Sequence, residues 1–147
     1  MQINGPTMRL FAIALGFLAL AAAHDAQAQA YRVVVNEANA TTSLPSADVA
    51  LIFTKKKTTW PSGAPIVPVD LTATSATRSA FSQELLHKDM NAIKLYWQQQ
   101  MFAGRSNPPD EKASDAAVIA FVKENAGAIG YVSADAVTAG VRVLTVR

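Results

Sequence analysis

The residues best suited to bind a ligand lie in a hydroxyl-rich run at positions 72–77, which leads into an apolar helical pattern. At a helix start the first backbone N–H groups lack partners within the helix, and the positive end of the helix dipole lies there. Hydroxyl donors and a nearby cation would add to these amides, which predicts an anion-binding site. The candidate residues are Thr74, Ser75, Ala76, Thr77 and Arg78. The alternative is that the hydroxyls only cap the helix, and residue types alone favour it.

The sequence has few residues suited to catalysis or to metal binding. The chain has no cysteine, and beyond its first 30 residues the one histidine is His87, beside Lys88 and Asp89 near a predicted helix end. A solvated helix-terminal residue is the simpler interpretation of His87 than a general base or metal ligand. The adjacent acids at 110–111 follow prolines and are interpreted as loop charges that approach a helix. We therefore predict no enzymatic activity, no cofactor and no metal site.

Charge limits the classes of partner. A net charge of +2 over 147 residues is too small for the concentrated basic face of a nucleic-acid-binding protein. The one basic run covers residues 55–57, and it is interpreted as a solvated turn, with an anion-attracting patch as the alternative. Nucleic acid is therefore not an expected partner.

The N-terminal region has the pattern of a secretory signal. Arg9 precedes a 14-residue apolar run at 10–23, whereas a membrane-spanning helix needs about 20 residues. Two A-x-A patterns follow, which predict cleavage after Ala28 or Ala30. We predict a signal peptide over residues 1–30 and one domain over residues 31–147, periplasmic or secreted and not membrane-bound after cleavage. A short N-terminal anchor helix or a buried helix is the alternative.

The elements that must position the candidate site alternate between strand and helix. β-branched and apolar runs predict strands at 31–36, 66–69, 128–132 and 141–146. Capping residues followed by apolar periodicity predict four helices, with Ser46, Asp89 and Ser114 as three of the caps and the hydroxyl run as the fourth. Pro68 argues for an edge position or a strand end. The alternation predicts an α/β domain with helices on both faces of a small sheet.

Several short runs occur in a familiar order along the chain. They are V-V-V-N at 33–36, L-P-S-A-D-V at 44–49, I-F-T at 52–54, W-P-S-G-A-P-I-V-P-V at 60–69, S-A-T-R-S-A-F at 75–81 and G-A-I-G-Y-V at 127–132. Together they resemble the phosphate-binding, PstS-type solute-binding proteins of ABC transporters. The resemblance implies a periplasmic-binding-protein type of fold, in which a three-layer-like domain has a small mixed sheet flanked by helices.

The resemblance also bears on the site. Family members hold phosphate in a cleft between two α/β domains, with an S-G-T motif around the anion, and Ser75 and Thr77 match this motif while Ala76 replaces its glycine. The family's arginine shortly before the motif is absent, and Asp70 and Leu71 occupy that neighbourhood. The likeness covers only one domain of a full-length member, so the opposite wall of the cleft has no counterpart.

Two functions follow as hypotheses. The first is an exported, non-enzymatic module that binds phosphate or another small oxyanion, with an ABC permease or a second copy of itself as partner. The second is an envelope interaction or structural module that keeps the fold but has lost solute binding. Its contact surfaces would be an exposed Trp60 turn and the loop at 104–109. Trp97, by contrast, is expected to pack in the core.

Overall fold

The computed structural model describes residues 29–147, in which six strands form one mixed sheet. Residues 1–28 of the predicted signal peptide, with the Ala28 cleavage position, lie outside the described residues. The strands are β1 (Tyr31–Asn36), β2 (Ser43–Leu44), β3 (Val67–Leu71), β4 (Asp110–Lys112), β5 (Ala128–Ser133) and β6 (Val141–Val146). Their order across the sheet is β2-β6-β1-β5-β3-β4. β1 pairs antiparallel with β5 and β6, whereas β3 is parallel to β4 and β5, and β2 to β6.

Four helices connect these strands. They are α1 (Ser46–Phe53), α2 (Ala76–Phe81), α3 (Met90–Phe102) and α4 (Asp115–Glu124), and a π-helical turn at Ser82–Leu86 extends α2. The caps expected at Asp89 and Ser114 are confirmed, since their side chains accept from the N–H groups of Ala92 and Ala117. The α/β fold with a mixed sheet is therefore confirmed. Among residues 29–147, no helix has the length and apolar character needed to span a bilayer.

Three local predictions are wrong. Ser46 does not cap α1, because Pro45 is the N-cap residue and the Ser46 N–H donates to the carbonyl of Arg147 instead. The acids at 110–111 do not lie in a loop but in β4, which pairs with β3. The Trp60 turn does not expose its indole: Trp60 is only 5% exposed, and its Nε1–H donates to the Gly127 carbonyl at 3.0 Å. Burial of this polar tip is possible because its hydrogen bond is satisfied.

The two faces of the sheet are packed by different helices, as expected. Tyr131 on β5 stacks on Phe81 of α2 with ring centroids 3.8 Å apart, and Phe53 of α1 packs edge-on against both rings. Its neighbour Gly130 points to the opposite face, where a Cβ would lie 2.7 Å from a methyl group of Val118 on α4. The glycine allows α4 to pack closely on the sheet.

Candidate functional site

The candidate anion site lies where β3 ends and α2 begins. The chain leaves β3 at Leu71 and makes a turn in which the Ser75 N–H donates to the Thr72 carbonyl at 2.9 Å. Ser75 is the N-cap of α2, as its hydroxyl accepts from the Arg78 N–H at 3.2 Å. The predicted capping function of the hydroxyl run is therefore confirmed at Ser75.

Although Ser75 caps the helix, other N–H donors of the first turn have no hydrogen-bond partner within α2. The N–H groups of Ala76 and Thr77 are in the positions that lack partners within a helix, while the hydroxyl of Ser75 serves the third position. Thr74 and Ala76 are exposed, and Ser75 and Thr77 are half-buried. The structure thus brings four of the five predicted residues to the surface together.

Arg78 lies differently from the other four. Its side chain is buried, and its Nη1 donates to the Leu71 carbonyl at 2.7 Å and to Glu111 Oε1 at 2.5 Å. Its Nη2 lies 3.5 Å from Asp70 Oδ2. The guanidinium therefore connects the end of β3 to the edge strand β4, and two carboxylates neutralise it. This differs from the expectation of a cation that is free to meet an anion.

Asp70, which lies beside Arg78, is a second buried charged residue. Its Oδ1 accepts from the Tyr131 hydroxyl at 2.6 Å. Burial raises the pKa of Asp70 above its ordinary value, and the opposite charge of Arg78 works against that rise. Burial alone would lower the pKa of Arg78, but the carboxylates of Asp70 and Glu111 raise it overall. Burial, and then the Asp70 carboxylate, raises the pKa of Tyr131, so this hydroxyl stays a donor.

A cavity of about 430 Å³ adjoins this cluster. Ala73 and Arg78 line it on the α2 side and Glu111 on the β4 side. Residues of α3 and the following loop complete the wall: Met90, Asn91, Ile93, Lys94, Trp97, Gln98, Met101 and Pro108. Trp97 is buried as expected, although it packs against this cavity and the ring of Tyr96 and lies apart from the core cluster of the sheet. Sequence analysis missed this cavity, because it forms between α3 and residues far from it in the chain.

A second cavity of about 480 Å³ lies at the Trp60 turn. Its wall is made mainly of small residues from the loop after β1 and from the turn itself: Ala38, Asn39, Ala40, Thr41, Pro61, Ser62, Ala64 and Ala126. No charged side chain lines it among the described residues. It therefore offers less to an anion than the start of α2.

The remaining candidates have ordinary positions. His87 is exposed at the end of the π-helical turn in a left-handed conformation with φ 51°, as expected for a solvated helix-terminal residue. In the basic run, Lys57 forms an ion pair with Asp48 at 2.6 Å and Lys55 adopts φ 55°, which fits a turn. Within residues 29–147, no cluster of three or more possible metal ligands is present.

Comparisons with known proteins agree with this architecture. A family profile described as a PBP superfamily domain matches residues 9–144. A search of the curated proteins finds no match. Among solved structures, a Vibrio cholerae ABC-type phosphate transport receptor matches with a TM-score of 0.63 and 20% identity, over 80% of this chain and 46% of the receptor.

Two further solved structures are similar. One is a Clostridium perfringens protein described as a phosphate ABC transporter substrate-binding protein with bound phosphate, with a TM-score of 0.57 and 24% identity over 80% of this chain and 44% of that one. The other is PstS from Borrelia burgdorferi, with a TM-score of 0.62 and 17% identity over 80% and 47%. The resemblance predicted from the motifs is confirmed in fold, and the chain spans less than half the length of these proteins.

Proposed function

This chain belongs to the family of PBP superfamily domains, and on that premise we propose that it is an exported, non-enzymatic solute-binding module. Its ligand is phosphate or another small oxyanion, held at the start of α2. Residues 1–30 act as a signal peptide that is cleaved after Ala28 or Ala30. The domain of residues 31–147 then works in the periplasm or outside the cell, with an ABC permease or a second copy of the chain as its partner.

The proposed anion site is supported mainly by one observation: in the first turn of α2, the N–H groups of Ala76 and Thr77 lie near the hydroxyls of Thr74 and Thr77. Charge-assisted hydrogen bonds from such groups suit an oxyanion, and the helix dipole adds to them.

Arg78 contributes to the proposed site by positioning rather than by contact. Its backbone N–H fixes the Ser75 hydroxyl, and its guanidinium binds the Leu71 carbonyl just before the turn. Both bonds hold residues 72–77 in the conformation that presents their donors. Asp70 adds a buried carboxyl whose charge is repelled by an anion, so neutralisation of Asp70 by Arg78 is what makes the site compatible with a dianion.

Thermal unfolding in the presence of phosphate or sulfate tests this proposal. A ligand at 100 times its Kd stabilises the folded state by about 2.7 kcal/mol, which corresponds to a rise in Tm of about 10 °C for a domain of this size. The double variant Ser75→Ala, Thr77→Ala should lose the rise. The matched control is Thr58→Ala, Ser62→Ala, which removes two exposed hydroxyls of the Trp60 turn and should keep it. A rise that survives in the first variant would place the anion elsewhere, and no rise with any oxyanion would refute the proposal.

A second candidate function is favoured by the same cluster. Since Asp70 and Glu111 neutralise the guanidinium of Arg78, the fold has no free cation of that residue to offer to a solute. A domain of this kind that has lost solute binding would act as an interaction module of the cell envelope. Its contact surface would be the loop at 104–109, since Trp60 is buried.

A further inference from the structure

The 430 Å³ cavity beside α3, here called the α3 cavity, has the size and the wall of a small-molecule site. Pockets that enclose an organic ligand have volumes of roughly 300–1000 Å³, a mostly apolar wall and a few polar groups that orient the ligand. The apolar part of this wall includes Met90, Ile93, Trp97, Met101 and Pro108. Ile93 and Trp97 are buried but lie outside the core cluster, so they contribute to this wall rather than to the core of the sheet.

The wall of the α3 cavity also has one cation without a partner. The guanidinium of Arg78 lines the cavity, but it is paired with Glu111 and Asp70. Lys94 lines the cavity as well, and it forms no ion pair with any of residues 29–147. Lys94 is therefore the cationic group of this wall that can pair with a ligand, and a single ammonium suits a singly charged anion such as a carboxylate.

The order of residues along α3 places this cation among apolar side chains. Met90, Lys94, Trp97 and Met101 follow one another at the spacing of one helix face. A ligand that contacts Lys94 therefore has large apolar side chains about one turn away in both directions along the helix. Indole rings and methionine sulfur both make favourable contacts with aromatic groups. An aromatic ring is thus the apolar group that suits this wall best.

Two hydrogen bonds hold the walls of the α3 cavity in place. The Tyr96 hydroxyl donates to the Thr54 carbonyl at 2.9 Å, which attaches α3 to the residue after α1. Lys55 Nζ donates to the Pro108 carbonyl at 3.4 Å, which attaches the loop before β4 to the next residue along. Both walls are therefore anchored at the end of α1, and the cavity is part of the fold itself.

We propose that the α3 cavity binds a small aromatic carboxylate. The carboxylate pairs with Lys94, and the ring packs against Trp97 and Met101. Arg78 and Glu111, which are already paired, form part of the surrounding wall. This site and its ligand are distinct from the oxyanion site proposed at the start of α2, and neither proposal depends on the other.

The two tryptophans of the chain allow a direct test, because each lines a different cavity. Trp97 lines the α3 cavity, and Trp60 lines the cavity at its own turn. In ¹⁵N spectra of the full gene product, purified as the cell produces it, phenylacetate should shift the indole N–H signal of Trp97 in a saturable manner and leave that of Trp60 in place. The uncharged analogue phenylacetamide should bind about fivefold more weakly, since it cannot form the ion pair.

Two lysine variants separate this ion pair from a general effect of charge. Lys94→Gln should lower the affinity for phenylacetate about fivefold, to that of phenylacetamide, and leave the affinity for phenylacetamide unchanged. Lys123→Gln is the matched control, because Lys123 is an exposed lysine of α4 outside the cavity wall, and it should bind both ligands as the wild type does. No shift of Trp97 at millimolar phenylacetate, equal affinities for acid and amide, or an unchanged affinity in Lys94→Gln would overturn the proposal.

Discussion

The two ends of the α2–α3 segment show a sharp contrast in packing. At the α2 end, Phe81 is buried, and its ring contacts the rings of Tyr31, Phe53 and Tyr131. At the α3 end, no aromatic ring of residues 29–147 packs against Phe102, which is almost fully exposed. The phenylalanines that end α2 and α3 thus differ: Phe81 holds the sheet and its helices together, whereas Phe102 lies on the surface.

Arg78, Asp70, Glu111 and Tyr131 form a polar cluster, here called the Arg78 cluster, that shares a feature with each of these regions. It is buried like the core, yet it lines the cavity that opens toward α3. Its polar groups are paired with one another and with the Leu71 carbonyl, which is the condition for burying charge at acceptable cost. The cluster therefore fixes the end of β3 and the start of α2 at the boundary between scaffold and binding surface.

The contrast between the two phenylalanines gives the largest expected effect. Phe81→Ala should lower the free energy of unfolding by about 3–5 kcal/mol, since it opens a cavity among three aromatic rings. Phe102→Ala should change the stability of the monomer by less than about 0.5 kcal/mol. Urea unfolding at low protein concentration measures both, and similar losses for the two variants would contradict the division into core and surface.

Replacing Arg78 tests whether the Arg78 cluster stabilises the fold. Arg78→Met should cost about 3 kcal/mol at neutral pH, because it leaves the buried carboxylate of Asp70 without its partner. The matched control is Glu111→Gln, which removes only the half-exposed partner and should cost less. A loss for Arg78→Met no larger than that of the control would show that the guanidinium does little for stability.

The pH dependence of this variant has a definite sign. Because the pKa of Asp70 is raised above its ordinary value of 3.8, the folded state holds this proton more tightly than the unfolded state, and the associated stability is lost as pH rises through the raised pKa. Without Arg78 the pKa should rise further, so the stability of Arg78→Met should fall with pH over a range extending higher than in the wild type. Adding Asp70→Asn should remove the difference in slope, and a persistent difference would assign it to another group.

The smallest of the stability effects concerns the close contact of the sheet with α4. Gly130→Ala should cost about 1–3 kcal/mol, since the new methyl group would overlap Val118 and Val69. Ala139→Ser adds one atom to an exposed turn and should be neutral within about 0.5 kcal/mol. A neutral Gly130→Ala would mean that α4 can move away from the sheet at little cost, which would weaken the contrast between a rigid core and the α3 face.

Local patterns predicted the elements of this fold well. The strand at 31–36 and the caps at Ser75, Asp89 and Ser114 depend on neighbouring residues, so the sequence contains the information needed to find them. Pro68 was expected at an edge or strand end, and it is the second residue of β3, ahead of the stretch that pairs with β4.

Non-local contacts explain what sequence analysis missed. β4 consists of three charged residues without a strand pattern, and it exists because its backbone pairs with β3. The partner of Arg78, Glu111, lies 33 residues away, and the indole of Trp60 reaches a carbonyl 67 residues away. A turn-like sequence around Trp60 gave no sign of that contact, and a helix-start arginine gave no sign of its two carboxylates.

We propose that the first turn of α2 binds an anion, and the amide chemical shifts of that turn would report the binding. During a phosphate titration of the ¹⁵N-labelled protein, the N–H resonances of Ala76 and Thr77 should move the most and saturate. Those of Thr138 and Ala139, in the turn before β6, should stay in place. Unmoved resonances of Ala76 and Thr77 under high phosphate, or larger shifts at another helix start, would show that the anion does not bind at the start of α2.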